Sequence, residues 1–87
     1  VGRNYEKLGN FAKAITYYQI LLDNHKDGIY IDEALFYSAE IYKKQLNELE
    51  KAKNLYEKVV LEHPDSIYFT EARKQYRALR GDKQQGI

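Results

Sequence analysis

Residues 14–18 read Ala-Ile-Thr-Tyr-Tyr, and residues 52–56 read Ala-Lys-Asn-Leu-Tyr. The offset that places Ala14 on Ala52, which we call the repeat offset, also holds on both sides of these segments, without a gap. The residues that recur at this offset are Leu8, Lys13, Ala14, Tyr18, His25, Asp27, Ile29, Tyr30, Glu33 and Ala34. Self-similarity at a fixed period indicates a repeat protein, so we expect copies of one structural unit.

Each unit is predicted to be a hairpin of two helices. Apolar residues recur at three- and four-residue steps from Phe11 to Leu22 and again from Leu49 to Val60, which places them on one helix face. Gly9-Asn10 precedes the first of these stripes, and Asn47 with Glu50 three residues later is typical of a capping box before the second. These signals predict helices that begin near residues 10 and 48.

The remaining helix limits follow from the breaker residues. Pro64 lacks the amide hydrogen that a helix needs, so His63-Pro64-Asp65-Ser66 ends the helix that begins near residue 48. By the repeat offset, Lys26-Asp27-Gly28 ends the helix that begins near residue 10. Two further helices are expected at about 31–45 and 67–80, with Gly81 as the C-terminal cap of the last one.

The bulk composition limits the classes of function. Turn-forming residues are too sparse for a multi-stranded sandwich, which favours an all-α protein. Lys and Arg number 14 against 13 Asp and Glu, and because the signs are interleaved we expect no nucleic-acid partner. The sequence has no Cys, which excludes disulfides and thiolate metal sites. It has no apolar run of the ~20 residues that a membrane span needs, so no direct membrane insertion is expected.

Candidate catalytic and metal-binding residues do not form a recognisable site. His25 and His63 occupy equivalent repeat positions, but neither has a second ligand at metal spacing, so no metal is expected. The acidic pairs Asp32-Glu33 and Glu48-Glu50 lie in first helical turns, where the helix dipole favours negative charge. No nucleophile triad, phosphate loop or cofactor fingerprint is present, and we predict neither an enzyme nor a cofactor. The tripeptide that begins at Arg80 is explained by the helix cap at Gly81 rather than by cell adhesion.

The repeat resembles the tetratricopeptide motif over residues 1–80. In the second unit, Leu35, Ser38, Ala39 and Tyr42 occupy the first-helix positions of that motif, and Ala52, Tyr56 and Pro64 the second-helix positions. In the first unit the matching residues are Val1, Gly2, Tyr5, Gly9, Phe11, Ala14 and Tyr18. The resemblance implies antiparallel helical hairpins stacked as a right-handed superhelix, an α-α solenoid.

The resemblance also implies how the chain is divided into repeats and where in the cell the protein is located. It implies a partial first repeat at 1–28, a second repeat at 29–66, a C-terminal capping helix at 67–80 and a flexible tail at 81–87. The length of the unit, as measured from Ala14 to Ala52, and the element His-Pro-Asp-Ser-Ile-Tyr at 63–68 look like the variant found in bacterial cell-envelope proteins. That variant occurs in outer-membrane assembly lipoproteins and periplasmic division coordinators, so the resemblance favours the periplasm or cell envelope over the cytoplasm.

The function that the resemblance implies is a non-catalytic scaffold that binds a partner protein or peptide in its concave groove. By the family pattern, eight residues face this groove: Arg3, Glu6, Lys7, Phe36, Tyr37, Glu40, Lys43 and Lys44. With Phe36 and Tyr37 at its centre and Lys at its edge, the groove suits a peptide with apolar and acidic residues. A chaperone-tail adaptor is disfavoured, because Tyr37 stands where the carboxylate-clamping Asn of such relatives would be.

Two alternatives remain open from the sequence. The chain could be the structural end of a larger array that packs only on itself or on a second copy. Val1 matches the middle of a first helix, so we expect the stripe from Phe11 to Leu22 to be partly open and to promote self-association through the N-terminal end. The second alternative is carbohydrate or peptidoglycan binding through the nine tyrosines, although Tyr5, Tyr18, Tyr42 and Tyr56 fall at core positions.

Overall fold

The computed structural model describes residues 2–24 and 30–81, apart from the side chains of Asn4 and Tyr5. Within these ranges the chain is helical and contains no strand. The described helices are α1 (Gly2–Lys7), α2 (Phe11–Asn24), α3 (Ile31–Lys44), α4 (Leu49–Glu62) and α5 (Phe69–Arg80). The predicted all-α class is confirmed, and the packing of the helices in pairs is that of an α-α solenoid.

Each helix packs mainly against its neighbours in the chain. α2 lies against α1 and α3, and α4 lies against α3 and α5. Because contacts between successive elements dominate, the stability of such a stack is approximately a sum of units and nearest-neighbour interfaces. None of the described helices has the length and apolar character needed to cross a bilayer.

The central helix α3 is buried on two sides. Ala34 and Ile41 form one cluster with residues of α2. Leu35 and Ala39 belong to a second cluster, which contains Tyr56 of α4. A helix with two apolar faces must be covered by a neighbour on each side, which explains why α3 occupies the middle of the stack.

Alanines at equivalent positions of the two repeats are buried between helices. Ala14 in α2 and Ala52 in α4 are fully buried. Their tyrosine partners one turn later, Tyr18 and Tyr56, are also buried and fill the space between helices. The repeat offset relates the first pair to the second, so the two units use the same residues for the same packing role.

The structure shows a helix cap at Asn10, in the predicted turn before α2, and confirms the predicted cap at Gly81. The backbone N–H of Lys13 donates to the side-chain oxygen of Asn10 at 3.3 Å, which satisfies a free amide at the start of α2. Gly81 ends α5 with a φ of +97°, and its N–H donates to the carbonyl oxygens of Arg77 and Ala78. A left-handed backbone is accessible to glycine without steric cost, so Gly81 is suited to this position.

The predicted capping box at Asn47 and Glu50 is wrong. α4 begins after Glu48 without any side-chain cap, and Asn47 instead has a left-handed backbone with a φ of 53°. Its counterpart in the first repeat, Gly9, has a φ of 76°. The turn therefore requires a left-handed residue at this position, and Asn tolerates that conformation better than other residues that have a Cβ. Glu50 forms an ion pair with Lys53 at 3.1 Å instead.

The turn at the end of α4 is held by Ser66. α4 ends at Glu62, as the following Pro64 predicts. The Ser66 hydroxyl donates to the carboxylate of Asp32 at the start of α3 and accepts the backbone N–H of Tyr68 at 3.0 Å. This serine therefore ties the turn between α4 and α5 to the preceding hairpin. The corresponding stop predicted at 26–28 lies outside the described residues.

Candidate functional site

A cleft of about 290 Å³ opens between α1 and α3. Its walls combine charged, polar and apolar side chains from both helices and from the start of α2. The lining residues are Arg3, Glu6, Phe11, Tyr37, Glu40, Ile41, Lys44 and Gln45. A concave surface with apolar area and a few convergent polar groups is the usual form of a binding site.

Arg3 connects the two helices that flank the cleft. Its guanidinium lies 4.2 Å from the centre of the Tyr37 ring, in the position of a cation–π contact. The same guanidinium forms an ion pair with Glu6 at 3.1 Å. Glu6 in turn accepts a hydrogen bond of 2.7 Å from the hydroxyl of Tyr18 in α2. The α1 wall of the cleft is thus fixed by charge-assisted contacts to two other helices.

Glu40 organises the opposite wall. Its carboxylate accepts a hydrogen bond of 2.5 Å from the Tyr56 hydroxyl and forms an ion pair of 2.5 Å with Lys44. Burial acts to raise the pKa of Glu40, but the hydrogen bonds from Lys44 and Tyr56 outweigh burial and hold the pKa below its ordinary value of 4.5. Burial and the bond to Glu40 both raise the pKa of Tyr56 above 10.0. Glu40 is therefore ionised and Tyr56 neutral at physiological pH.

The cleft exposes its positive charges and covers its negative ones. The side chain of Arg3 is 54% exposed and that of its partner Glu6 only 15%. Lys44 is 58% exposed and its partner Glu40 only 17%. Each carboxylate also accepts a hydrogen bond from a tyrosine, Glu6 from Tyr18 and Glu40 from Tyr56, so the cationic partner is the more exposed member of each ion pair.

Tyr37 belongs both to the cleft wall and to the core. Its ring packs against Tyr18 with centroids 6.3 Å apart and against Tyr68 at 5.6 Å. It is half-buried and contacts both apolar clusters. Burial and a hydrogen bond with Tyr37 raise the pKa of Tyr68 above its ordinary value of 10.0. Tyr37, which the family pattern places at the centre of the groove, therefore also contributes to the core.

Five of the eight groove residues predicted from the family pattern line this cleft: Arg3, Glu6, Tyr37, Glu40 and Lys44. Phe36 does not, because its ring is only 8% exposed and stacks on Tyr68 at 4.8 Å, so its assignment to the open groove is corrected. Lys43 donates a hydrogen bond to Gln75 of α5, and Lys7 is exposed at the end of α1. Neither lysine lines the cleft.

Three lining residues were missed by the sequence interpretation. Ile41 and Gln45 continue the i, i+4 row that begins at Tyr37, so helical spacing alone was sufficient to find them. Phe11 was assigned to the apolar stripe of α2, and its part in the cleft depends on how α2 meets α1 and α3. No spacing rule within one helix could have indicated that contact.

The tyrosines at core positions are mostly covered. Tyr18 and Tyr56 are buried and Tyr42 is half-buried, whereas the side chain of Tyr5 lies outside the described part of the molecule. Tyr30 is exposed and lies at the start of α3. The described tyrosine rings therefore form a packed aromatic cluster between helices more than an open stacking platform.

The residues considered for metal binding and catalysis have local structural roles. The N–H of His63 donates to the carbonyl of Val59 at 2.9 Å, and His63 is the C-cap residue that follows α4. Glu48 forms an ion pair with Lys51 at 3.0 Å, which raises the pKa of that lysine. The part of the chain that the structure describes contains no group of three potential metal ligands. His25 and Asp82 lie outside it.

Stacked helical hairpins with a cleft between first helices define a helical-repeat binding scaffold. The model of the tetratricopeptide repeat matches residues 1–28 and 33–66, and the chain belongs to this family. No curated protein and no solved structure matches the chain. Tetratricopeptide repeats generally mediate protein–protein interactions and are generally non-catalytic scaffolds.

Proposed function

We propose that the chain binds a short segment of a partner protein in the cleft between α1 and α3, and that this segment pairs an apolar side chain with an acidic group. The observation that carries the proposal is the charge asymmetry of the cleft. Arg3 and Lys44 are more than half exposed, while Glu6 and Glu40 are mostly covered and already hydrogen-bonded.

The apolar requirement comes from the lining of the cleft. Phe11 and the Tyr37 ring, both half-buried, supply aromatic surface, and the buried Ile41 lies at the base of the cleft. Burial of one apolar side chain on such a surface contributes roughly 1.5 to 3 kcal/mol of favourable transfer free energy. The acidic group of the segment then lies within reach of Lys44 or Arg3, where a charged hydrogen bond fixes its orientation.

The size of the cleft favours a short segment. Its volume of about 290 Å³ lies just below the ~300 to 1,000 Å³ that ligand pockets usually have. A folded domain would need a much larger complementary surface than this cleft provides. The predicted ligand is therefore an extended peptide or a loop.

A peptide array provides the test. The array contains short peptides that place Leu or Phe at varied spacing from Asp or Glu, together with matched peptides in which the acid is replaced by Asn or Gln. We expect the acidic peptides to bind and the amide peptides to bind about tenfold more weakly, since loss of one charged hydrogen bond costs ~1.4 kcal/mol or more.

Charge-neutral variants of the chain complete the test. Lys44→Gln should weaken binding of the acidic peptides about tenfold. Lys58→Gln removes the same charge from an exposed position of α4 outside the cleft and should leave binding unchanged. Equal binding of acidic and amide peptides, or equal effects of the two variants, would show that the cleft does not select an acidic group.

The alternative functions make different predictions for the same sample. A structural array end, or self-association through the N-terminal end, requires the chain to form dimers or larger species in sedimentation experiments. The surface for such self-association would be the apolar stripe of α2, in which Tyr18 is buried and Phe11, Ile15 and Leu21 are half-buried. Carbohydrate binding requires a change of tyrosine fluorescence with oligosaccharides and no response to the acidic peptides.

A cell-envelope location is part of this proposal. It rests on the length of the repeat, as set by the offset between Ala14 and Ala52, and on the His63–Tyr68 element alone. Fractionation of cells that produce the intact protein, followed by detection in the periplasmic or cytoplasmic fraction, tests it. Recovery in the cytoplasmic fraction alone would contradict it.

A further inference from the structure

One side of α5 carries a row of positive charge. Residues 73, 77 and 80 recur at four- and three-residue steps and so lie on one side of the helix, and residue 74 is adjacent. Glu71 is the single acidic residue within α5. The four exposed cationic residues, which we call the basic strip, are Arg73, Lys74, Arg77 and Arg80.

α5 is the repeat counterpart of α3. The repeat offset places the start of α3, at residue 31, on the start of α5, at residue 69. In both helices an alanine of the first turn, Ala34 or Ala72, is fully buried. The N–H of each alanine donates to the carbonyl of a tyrosine before the helix, at 2.9 Å for Tyr30 and 2.8 Å for Tyr68. Positions related by the repeat offset therefore occupy equivalent places in α3 and α5.

The side of α5 that faces the preceding helix keeps the role of its counterpart. In α3 this side contains Ala34 and Ile41, which pack against α2. In α5, Ala72 lies in the core with residues of α4, and the Tyr76 hydroxyl donates to the Glu57 carboxylate of α4 at 2.9 Å. This half of the helix surface thus has the same packing role in the two repeats.

The side of α5 that is equivalent to the α4-facing side of α3 is basic where α3 is mostly apolar. Ile31 of α3 belongs to the cluster formed with α4, and its counterpart in α5, Phe69, is likewise apolar and is half-buried. Four more residues on this side of α3 belong to that cluster or pack against it, and they are Leu35, Phe36, Ala39 and Tyr42. Their counterparts in α5, at the repeat offset, are the four members of the basic strip. The surface on which α4 packs in the complete repeat is therefore basic and exposed on α5.

A need for solubility does not by itself explain the strip. A solvated helix face requires polar residues, and charges of both signs serve that purpose best. Like charges four residues apart, as at Arg73 and Arg77, destabilise a helix. Charge complementarity favours an acidic partner for such a surface, and arginine clusters are a common means of recognising acidic protein segments.

We propose that the basic strip binds an acidic helix of a partner protein, seated on α5 as α4 is seated on α3. A helix is the favoured occupant because the equivalent surface of α3 already receives one. Carboxylates at i and i+4 on that helix match the four-residue spacing of Arg73 and Arg77, and arginine is the side chain best suited to recognise a carboxylate. The described exposed positions of α5 include no large apolar residue to insert into a bilayer.

The strip is separate from the cleft between α1 and α3. None of its residues lines that cleft, so the two proposals can fail independently. α5 has 12 residues and is ~18 Å long, which accommodates about three turns of a partner helix. Binding that depends on charge pairs at an exposed surface must weaken as salt increases.

The test uses a capped synthetic helical peptide with Glu at i, i+4 and i+8 on one face and a matched peptide with Gln at those positions. Fluorescence anisotropy of each peptide is measured against the 87-residue chain at low and high salt. We expect the Glu peptide to bind at least about tenfold more tightly than the Gln peptide at low salt, with the difference reduced at high salt.

Two double variants decide whether the strip is responsible. Arg73→Gln with Lys74→Gln should weaken binding of the Glu peptide about tenfold. Lys13→Gln with Lys58→Gln removes the same charge from exposed positions of α2 and α4 and should leave the affinity unchanged. Circular dichroism of both variants verifies that the helices are intact.

Equal binding of the two peptides, or equal weakening by the two double variants, overturns the proposal. Vesicles of phosphatidylserine and phosphatidylcholine and a single-stranded DNA oligonucleotide are titrated in parallel. If the vesicles or the DNA bind more tightly than the Glu peptide, the basic strip is assigned to lipid or nucleic acid, and the proposal is likewise overturned.

Discussion

The hydroxyl of Tyr56 in α4 donates a hydrogen bond of 2.5 Å to the carboxylate of Glu40 in α3. Tyr56 is fully buried, and Glu40 lines the cleft between α1 and α3. The same pairing joins Tyr18 of α2 to Glu6 of α1 at 2.7 Å. Core packing and the charge of the cleft are thus coupled, because each buried tyrosine holds a carboxylate that would otherwise face a ligand.

Tyr56→Phe should destabilise the protein by about 1.5 to 3 kcal/mol, which is the usual contribution of a hydrogen bond to a charged group. The ring remains in place, so the loss reports the hydroxyl alone. Urea unfolding measures it. The control is Tyr30→Phe, the same change at an exposed ring, and an equal loss in both variants would show that the bond to Glu40 is not important for stability.

Acid should destabilise the fold through Glu40. The pKa of Glu40 in the folded state lies below its ordinary value of 4.5, so the group contributes stability that is present above that value. This stability is lost as the pH falls through the lowered pKa of the folded state. Thermal melts from neutral pH to below pH ~4 should show the loss.

Glu40→Gln is the matched variant for the acid experiment. It keeps the size of the side chain but cannot titrate, so its stability should depend less on pH in this range than that of the unaltered protein. At neutral pH the variant should be less stable, because the ion pair with Lys44 is lost. Identical pH profiles for the two proteins would mean that other carboxylates dominate acid unfolding.

Ala52→Leu should destabilise the protein by about 1 to 3 kcal/mol, since it adds volume to a fully packed helix contact. Ala52 is completely buried between α3 and α4. Ala12→Leu makes the same change at an exposed position of α2 and should have little effect. A thermal melt of the Ala52 variant that matches the Ala12 variant would place Ala52 outside a tight contact.

Tyr37→Ala should reduce stability and binding together. Its ring contacts Tyr18, Tyr68 and the Arg3 guanidinium, so removal costs about 2 kcal/mol, roughly half the value for a fully buried aromatic side chain. Circular dichroism melts and titration of an acidic peptide measure the two effects. Loss of binding with an unchanged melt would show that Tyr37 acts in the cleft and contributes nothing to the core.

Asn47→Gly should change the free energy of unfolding by less than about 1 kcal/mol, whereas Asn47→Val should destabilise the protein by roughly 1 to 2 kcal/mol. The reason is the φ of 53° at Asn47, a conformation that glycine adopts freely and β-branched residues avoid. Comparison of the two variants by thermal melting separates backbone strain from loss of the amide. Equal destabilisation by both would assign the role to the Asn side chain.

The helices and the residues buried between them could be predicted from the sequence. The apolar spacing around Ala14 and Ala52 predicts which residues are buried, because a helix presents every third or fourth residue to the same neighbour. Asn10, Pro64 and Gly81 mark helix ends for reasons of local hydrogen bonding. Asn47 misled the prediction, because both a cap and a left-handed turn favour Asn and the local sequence does not distinguish them.

The residues of the cleft between α1 and α3 could be predicted only in part from the sequence. The family pattern indicates which first-helix residues face the groove, and five of the eight line the observed cleft. It does not indicate that Phe36 is covered, since the ring of Tyr68 that stacks on it comes from the turn after α4, far along the chain. It also omits Phe11, which reaches the cleft from another helix.

The sequence by itself determined the repeat, the all-α class and the apolar faces, because these depend on spacing within one helix or on the offset between two copies. Only the tertiary structure decided that Tyr56 binds Glu40, that Arg3 lies over Tyr37, and that the cleft consequently exposes its cations and covers its carboxylates. Such contacts join residues of different helices. Their geometry depends on how the helices cross, and helical periodicity contains no information about that crossing.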